Sequence, residues 1–155
     1  MGKATFMVVH PDGTYQTRTT ATGRVYTGAI VRVESVAKII EDCQDRLEQW
    51  RDPEGFGKQM GEGTRAEWIA WCEKRIAEHE AMLAEGRRYL YRKAEYRSDI
   101  EAARAEASKR NTRDEQAGFT PVWDVYLVHP VPEGMKKSEY GNLAKKISDE
   151  WKVPF

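Results

Sequence analysis

Between positions 87 and 97, the cations Arg87, Arg88, Arg92, Lys93 and Arg97 are interleaved with the phenols Tyr89, Tyr91 and Tyr96. Guanidinium forks grip two phosphate oxygens at once, and a phenol ring offers a flat face on which a base can stack. The charge is local: residues 64–86 hold three basic and five acidic side chains, whereas residues 87–113 hold nine basic and four acidic. A second anion-friendly patch runs through Thr17-Arg18-Thr19-Thr20-Ala21-Thr22-Gly23-Arg24-Val25-Tyr26-Thr27, where hydroxyls, two arginines and a glycine turn are concentrated. Farther on, Trp123 and Asp124 add a stacking surface and a carboxylate for ribose hydroxyls. The expected ligand-binding set is Arg18, Arg24, Tyr26, Thr27, Tyr89, Arg92, Tyr96, Arg97, Trp123 and Asp124.

Each patch also has a plainer reading. The basic stretch can be a solvated helix face neutralised by pairs such as Arg97 with Glu101 and Glu106 with Arg110, its tyrosines packed against a subunit. Threonine is a good strand former, and arginine on an exposed strand blocks edge pairing. Enzyme signatures are missing: the sequence has no GxSxG elbow, HExxH, CxxC or Walker loop. Gly57-Lys58 lacks the glycine five positions before Gly57, where Asp52 stands. Carboxylates are plentiful but scattered, so no catalytic residue is expected, and no cofactor.

His10-Pro11 and His129-Pro130 both follow a valine at a strand end, which suggests a shared rim of the sheet. Two histidines without supporting carboxylates or cysteines are a weak metal signal, and no metal site is expected. His79 falls on an apolar helical stripe, the place of a satisfied core histidine. Cys43 and Cys72 have apolar neighbours and no metal-type spacing; they read as inert thiols that come level across an antiparallel helical hairpin.

These residues need elements to position them. Residues 4–9 are β-prone and run into the turn sequence His10-Pro11-Asp12-Gly13; a polar return strand over 14–20 and a third over 25–33 complete the N-terminal strands of 4–33. Ser35 offers a cap, and Val36, Ile39, Ile40, Cys43, Leu47 and Trp50 recur at helical steps to about Arg51. After a glycine-rich connection, residues 63–111 contain no proline and read as one long helix opened by the capping box Thr64–Glu67, with a single step of its stripe missing at Gly86. The helical hairpin is thus expected over 35–111, a late strand over 122–128 and a short amphipathic helix over 138–152. The fold class is α+β: a small antiparallel sheet of three N-terminal strands plus one late strand, a long helical hairpin and a short C-terminal helix, in one domain over 1–155. A helix of about 49 residues spans roughly 70 Å and overhangs its partner, and a second subunit is the simplest cover for the excess.

With 25 basic and 25 acidic residues among 155, the chain has no net field to draw it to nucleic acid or a membrane. Its charge balance speaks against a nucleic acid polymer as partner. No secretory leader or run of about 20 apolar residues is present, and the expected location is the cytoplasm.

The order of these elements, together with Arg24-Val25-Tyr26-Thr27-Gly28-Ala29-Ile30-Val31 in the third strand, resembles the first type of phage anti-Thoeris sponge. The resemblance implies a non-enzymatic anti-defence protein of the host bacterial cytoplasm. Such a protein sequesters a cyclic ADP-ribose-like immune signal, and in some members cyclic oligonucleotides, in pockets where subunits of a homo-oligomer meet. Of the expected site, Arg24, Tyr26 and Thr27 stand within the resembling motif. The competing expectation is a protein-interaction module whose long helix docks on a host or phage protein through Trp68, Trp71, Tyr89 and Tyr96.

Overall fold

The computed structural model describes residues 3–52, 54 and 61–151, without the side chain of Trp151; the 53–63 connection lies largely outside them, as does the end of the C-terminal helix at 152. In chain order the elements are strands β1 (Ala4–Val9), β2 (Tyr15–Thr20) and β3 (Gly28–Ser35), helices α1 (Val36–Arg51) and α2 (Glu62–Ala84), strands β4 (Tyr89–Tyr91) and β5 (Glu95–Arg97), helix α3 (Ile100–Gln116), strand β6 (Trp123–Pro130) and helix α4 (Tyr140–Trp151). The chain divides into two compact units, residues 1–33 with 91–155, and residues 34–90.

The first unit is built on a curled antiparallel sheet in the order β2-β1-β6-β3-β4, with β5 also paired to β3. The expected turn forms as its residues dictate: the His10 N–H donates to the Thr14 carbonyl at 2.8 Å, and Gly13 takes a positive φ of 89°. Alternation then sorts the side chains onto two faces. Inside the curl lie Phe6, Val8, Ala29, Val31, Tyr96 and Val128, joined by Tyr26 and Ala94. On the outside, Met7 and Val9 are covered by Ala144 and Ile147 of α4, while Ile30 is covered by Ala103 and Ala107 of α3. The start of α3 seats so closely on β3 that a Cβ on Gly28 would stand 2.8 Å from the Ile100 Cα, which only glycine permits.

The long helix over 63–111 does not form, and this corrects the expected hairpin of 35–111. Helix α2 ends at Ala84, where Gly86 adopts φ 85° and the Arg87 N–H returns to the Met82 carbonyl at 2.9 Å, a glycine-dependent stop. Beyond it, Tyr-Leu-Tyr and Glu-Tyr-Arg alternate with the period of a strand, and both add to β3. Helix α3 is a separate element whose Ala103 and Ala107 are buried on the sheet, so the uncovered length that called for a second subunit is gone. The late strand joins the N-terminal ones as expected, lying between β1 and β3.

In the second unit α1 and α2 form the expected hairpin. Ser35 caps α1, its hydroxyl accepting from the Lys38 N–H at 3.3 Å. Helix α2 begins two residues before Thr64, behind Gly61 and with no side-chain cap, so the Thr64–Glu67 box lies inside the first turns and is unused. Cys43 and Cys72 are buried free thiols; burial, and secondarily the neighbouring Cys43, pushes the Cys72 thiol up. His79 is buried and its Nδ1 meets the Arg75 carbonyl at 2.7 Å, the satisfied core histidine that its position implies. Among the described residues no helix is long and apolar enough to cross a membrane.

Candidate functional site

Period-two alternation redistributes the expected binding set. On the expected helix Arg88, Arg92 and Tyr96, four residues apart, would share one face; in β5 Tyr96 turns into the curl, while Glu95 and Arg97 turn towards α3. The register follows suit. Ala29 of β3 faces Tyr96, and Ile30, which lies under α3, faces Glu95.

On the α3 side the charges neutralise one another. Arg110 makes a two-pronged bond to Glu95, Nη1 to Oε2 at 2.6 Å and Nη2 to Oε1 at 3.0 Å, and its Nε reaches Glu106 at 3.0 Å. Its guanidinium lies 4.6 Å from the centroid of the Trp123 ring. Hydrogen bonding from Arg110 holds the Glu95 carboxyl below its usual range, and Glu95 in turn raises Arg110. Arg97 pairs with Glu95 at 3.1 Å rather than with Glu101, which takes Arg104 at 2.6 Å. The Trp123 backbone is clamped on both sides by the Asn111 amide, at 2.9 and 3.0 Å. The structure therefore places Arg97 and Trp123 in a brace between α3 and the sheet. Thr27 has a similar duty: its hydroxyl donates to the Ser98 carbonyl and accepts from the Ile100 N–H, both at 2.9 Å, tying β3 to the first turn of α3.

At the curl three of the other expected residues, Arg18, Tyr26 and Tyr96, come together. Arg18 on β2 lays its guanidinium 5.4 Å from the Tyr26 ring centroid and 5.8 Å from that of Tyr96, while Tyr26 meets Tyr96 at 5.6 Å and Phe6 at 5.3 Å. No carboxylate pairs with Arg18 among the described residues. Tyr96 is only 8% exposed, and its hydroxyl is buried without a hydrogen-bond partner. Burial pushes that phenol up to about 12, with Arg18 pulling the other way, so it stays protonated and can donate. Asp124 accepts from the Tyr126 hydroxyl at 3.1 Å. Burial is the main cause that raises the Tyr126 phenol, with Asp124 adding to it. Arg24 is exposed in the segment between β2 and β3, and Arg92 stands between β4 and β5. Tyr89 belongs to the other unit, where it is exposed.

Sequence reasoning missed Gln16. Two positions before Arg18 on β2, it faces the same way, and its side chain spans from this edge of the sheet to the link between β4 and β5: Nε2 donates to the Arg92 carbonyl and Oε1 accepts from the Ala94 N–H, both at 2.8 Å. A side-chain amide thus stands in for a rung of β ladder at the seam where the curled sheet nearly closes. The alternation Gln16, Arg18 opposite Val8 and Phe6 was the available signal, and it needed the register of β1 with β2 to be seen.

The two strand-end histidines do not share a rim. His129 stands opposite Met7, whereas His10 directly follows β1, is buried, and stacks on Tyr91 at 4.3 Å. Burial lowers both imidazoles. No group of three or more His, Cys, Asp or Glu gathers for a metal among the described residues. Surface hollows of about 310 Å³ beside Lys3, Thr5 and Tyr140, and of about 460 Å³ along α1 and α2 over Leu47 and Ile76, include none of the ten expected residues.

What the fold and site define is a curled-sheet protein with an aromatic interior and an exposed arginine, Arg18, laid over two of its rings. Comparison of the chain with protein-family models, with curated proteins and with solved structures returns no match.

Proposed function

We propose that this chain is a non-enzymatic binder that sequesters a cyclic nucleotide signal, of the cyclic ADP-ribose or cyclic oligonucleotide kind, as the anti-defence sponges it resembles do. One observation carries the reading: Arg18, with no carboxylate partner among the described residues, lies over the rings of Tyr26 and Tyr96, and the hydroxyl of Tyr96 is buried with no hydrogen-bond partner. A guanidinium and a protonated phenol are donors that a phosphate oxygen can accept from. Sequestration requires affinity and no turnover, which suits a chain whose sequence has no GxSxG elbow, HExxH or CxxC. Exposed Arg24 from the adjoining segment is available for a second phosphate. The oligomer that the resemblance implies would bring further side chains to the ligand from a second copy.

Native mass spectrometry with cyclic ADP-ribose isomers and cyclic di- and trinucleotides, followed by heat release and chromatography, tests this. Return of an intact ligand is the expected result, with Arg18→Ala abolishing capture; a converted ligand, or capture indifferent to Arg18, overturns it. A second reading, a protein-docking module, is favoured by Trp68 and Trp71, each 42% exposed on α2. Retention of one stoichiometric protein partner, lost on Trp68→Ala with Trp71→Ala and accompanied by no nucleotide, would establish it instead.

A further inference from the structure

Gln16 does more than span the seam. Its amide is fixed in one orientation, because Oε1 must accept from the Ala94 N–H and Nε2 must donate to the Arg92 carbonyl. The second Nε2 hydrogen is then aimed at Nε2 of His10, 2.9 Å away. That nitrogen can only be a lone-pair acceptor, so the proton of the neutral ring sits on Nδ1 and is donated to the Thr14 hydroxyl at 2.9 Å. Thr14 passes its own hydrogen to Asp12 Oδ1 at 2.5 Å. The chain of donors runs one way, from Gln16 through His10 and Thr14 to Asp12, with no slack in it.

We propose that Gln16 is a latch closing the seam beside the Arg18–Tyr96 site, and that protonation of His10 opens it. An imidazolium has N–H groups at both ring nitrogens, so its Nε2 hydrogen would point at the hydrogens of the Gln16 amino group. Turning the amide over relieves that clash but sets Oε1 against the Arg92 carbonyl and the amino group against the Ala94 N–H. Either orientation costs the rung, and β2 is left without its tie to the β4–β5 link. Arg18 rides on the same strand two residues away, so the edge that the latch holds is the edge that brings the guanidinium to Tyr96.

The groups facing His10 decide how readily it charges. From the β1–β2 turn come Asp12 and Thr14, from β2 Gln16, from β4 the stacked Tyr91, and from β6 Tyr126 at 6.0 Å with its partner Asp124. Asp12 favours the cation, while burial at 2% exposure disfavours it and prevails, keeping the ring neutral and the latch shut near neutral pH. Acidification is the trigger this arrangement answers to.

The consequence for ligand access rests on the binding reading above, whereas the latch itself is read without any ligand. Hydrogen exchange of the Ala94 amide, corrected for the intrinsic pH dependence, is the direct probe. Between pH 7.5 and pH 5 its protection is expected to fall about tenfold or more in the native chain. In His10→Phe, which keeps a stacking ring and cannot charge, it should not change with pH, and in Gln16→Ala it should be low throughout. Protection at pH 5 equal to that at pH 7.5, or an equal loss in His10→Phe, overturns the proposal. Nitrogen NMR of the unaltered chain provides a check that needs no variant: a proton on Nδ1 at pH 7.5, with the Gln16 amino resonances shifting in step with the His10 titration, is expected, and a proton on Nε2 overturns it. A latch that behaves so in a chain that captures no nucleotide would reject the sponge and leave the switch standing.

Discussion

Replacing Tyr96 with Phe should raise stability and lower affinity at once, and the opposed signs make it the most informative single change. In the ligand-free chain the Tyr96 hydroxyl is buried with no partner, and at neutral pH it is protonated, so no charge enters the balance. Burying an unbonded hydroxyl costs roughly 1–3 kcal/mol by the mutational scale. Its removal leaves a void of about 15 Å³, which at about 24 cal/mol per Å³ returns roughly 0.4 kcal/mol of that gain. A net stabilisation of about 1 kcal/mol is expected, or a rise of roughly 3 °C in melting temperature for a chain of this length. A hydrogen bond from that hydroxyl to a charged phosphate oxygen is worth about 1.5–3 kcal/mol, so Kd should weaken by roughly 10- to 150-fold. Urea denaturation and scanning calorimetry measure the first effect, and titration calorimetry with whichever cyclic nucleotide the native protein retains measures the second. A variant that is less stable than its parent, or as stable and equally avid, would refute the assignment of this hydroxyl as a donor held in reserve.

Gly28→Ala should cost about 1–3 kcal/mol in chemical denaturation, since the new methyl meets the Ile100 backbone rather than a side chain that can swing away. Glu95→Gln should weaken the hold of α3 on the sheet by about 1 kcal/mol, a figure kept small because the carboxylate is partly exposed. Because Arg110 holds the Glu95 carboxyl below its ordinary 4.5, the native chain should keep this contribution above that pH and lose it as the pH falls through the lowered value, and in Glu95→Gln that part of the acid limb should flatten. His10, whose folded value lies below 6.5, acts in the same direction in a higher window: stability is unaffected above about pH 6.5 and falls below it as the unfolded chain takes up a proton that the native fold refuses, a slope that His10→Phe should remove from the urea midpoint. Gly86→Ala forces a side chain into φ 85° and should destabilise the end of α2 by about 1–2 kcal/mol, read from helix signal on heating.

How much of this was legible in the sequence follows from the range of the interaction behind each feature. The first hairpin, the cap at Ser35 and the hairpin of α1 with α2 rest on contacts between near neighbours, and turn chemistry and apolar spacing announce them. The stretch from Arg87 to Arg97 misled because basic and aromatic residues with no proline satisfy a helix as well as a strand, and what decides is the edge of β3, far earlier in the chain, where Ala29 pairs with Tyr96. Gly86 was visible as the one missing step of the stripe, yet a glycine within a helix and a glycine that ends one look alike until the next residues find a partner. Arg18, Tyr26 and Tyr96 were picked out by chemistry and do meet; Arg97, Trp123 and Thr27 were picked out by the same chemistry and are occupied in holding α3. Residue type announced the reactive groups, and strand parity, which no local pattern discloses here, settled which way they face.

The edge of the curl carries two polar clusters, centred on Gln16 and on Arg18 of one edge strand, and the contrast between them is the reason to separate their roles. Around Gln16 every donor has an acceptor: His10, Thr14, Asp12, the Arg92 carbonyl and the Ala94 amide close a network in which nothing is left over. A network satisfied in that way specifies one arrangement of the chain and needs no ligand to complete it. Two residues along, Arg18 covers ring faces with no carboxylate partner among the described residues, and the Tyr96 hydroxyl stays buried and unbonded. Phenylalanine there would fill nearly the same space without the penalty, so core packing alone does not account for the hydroxyl. A ligand that supplies an anionic oxygen would offset the cost in the bound state only, which sets the free protein slightly below its attainable stability in exchange for differential affinity. The complete network therefore belongs to the closing of the seam and the incomplete one to what enters it, and a variant that disturbs the first should alter how fast ligand exchanges, while one that disturbs the second should alter how tightly it is held.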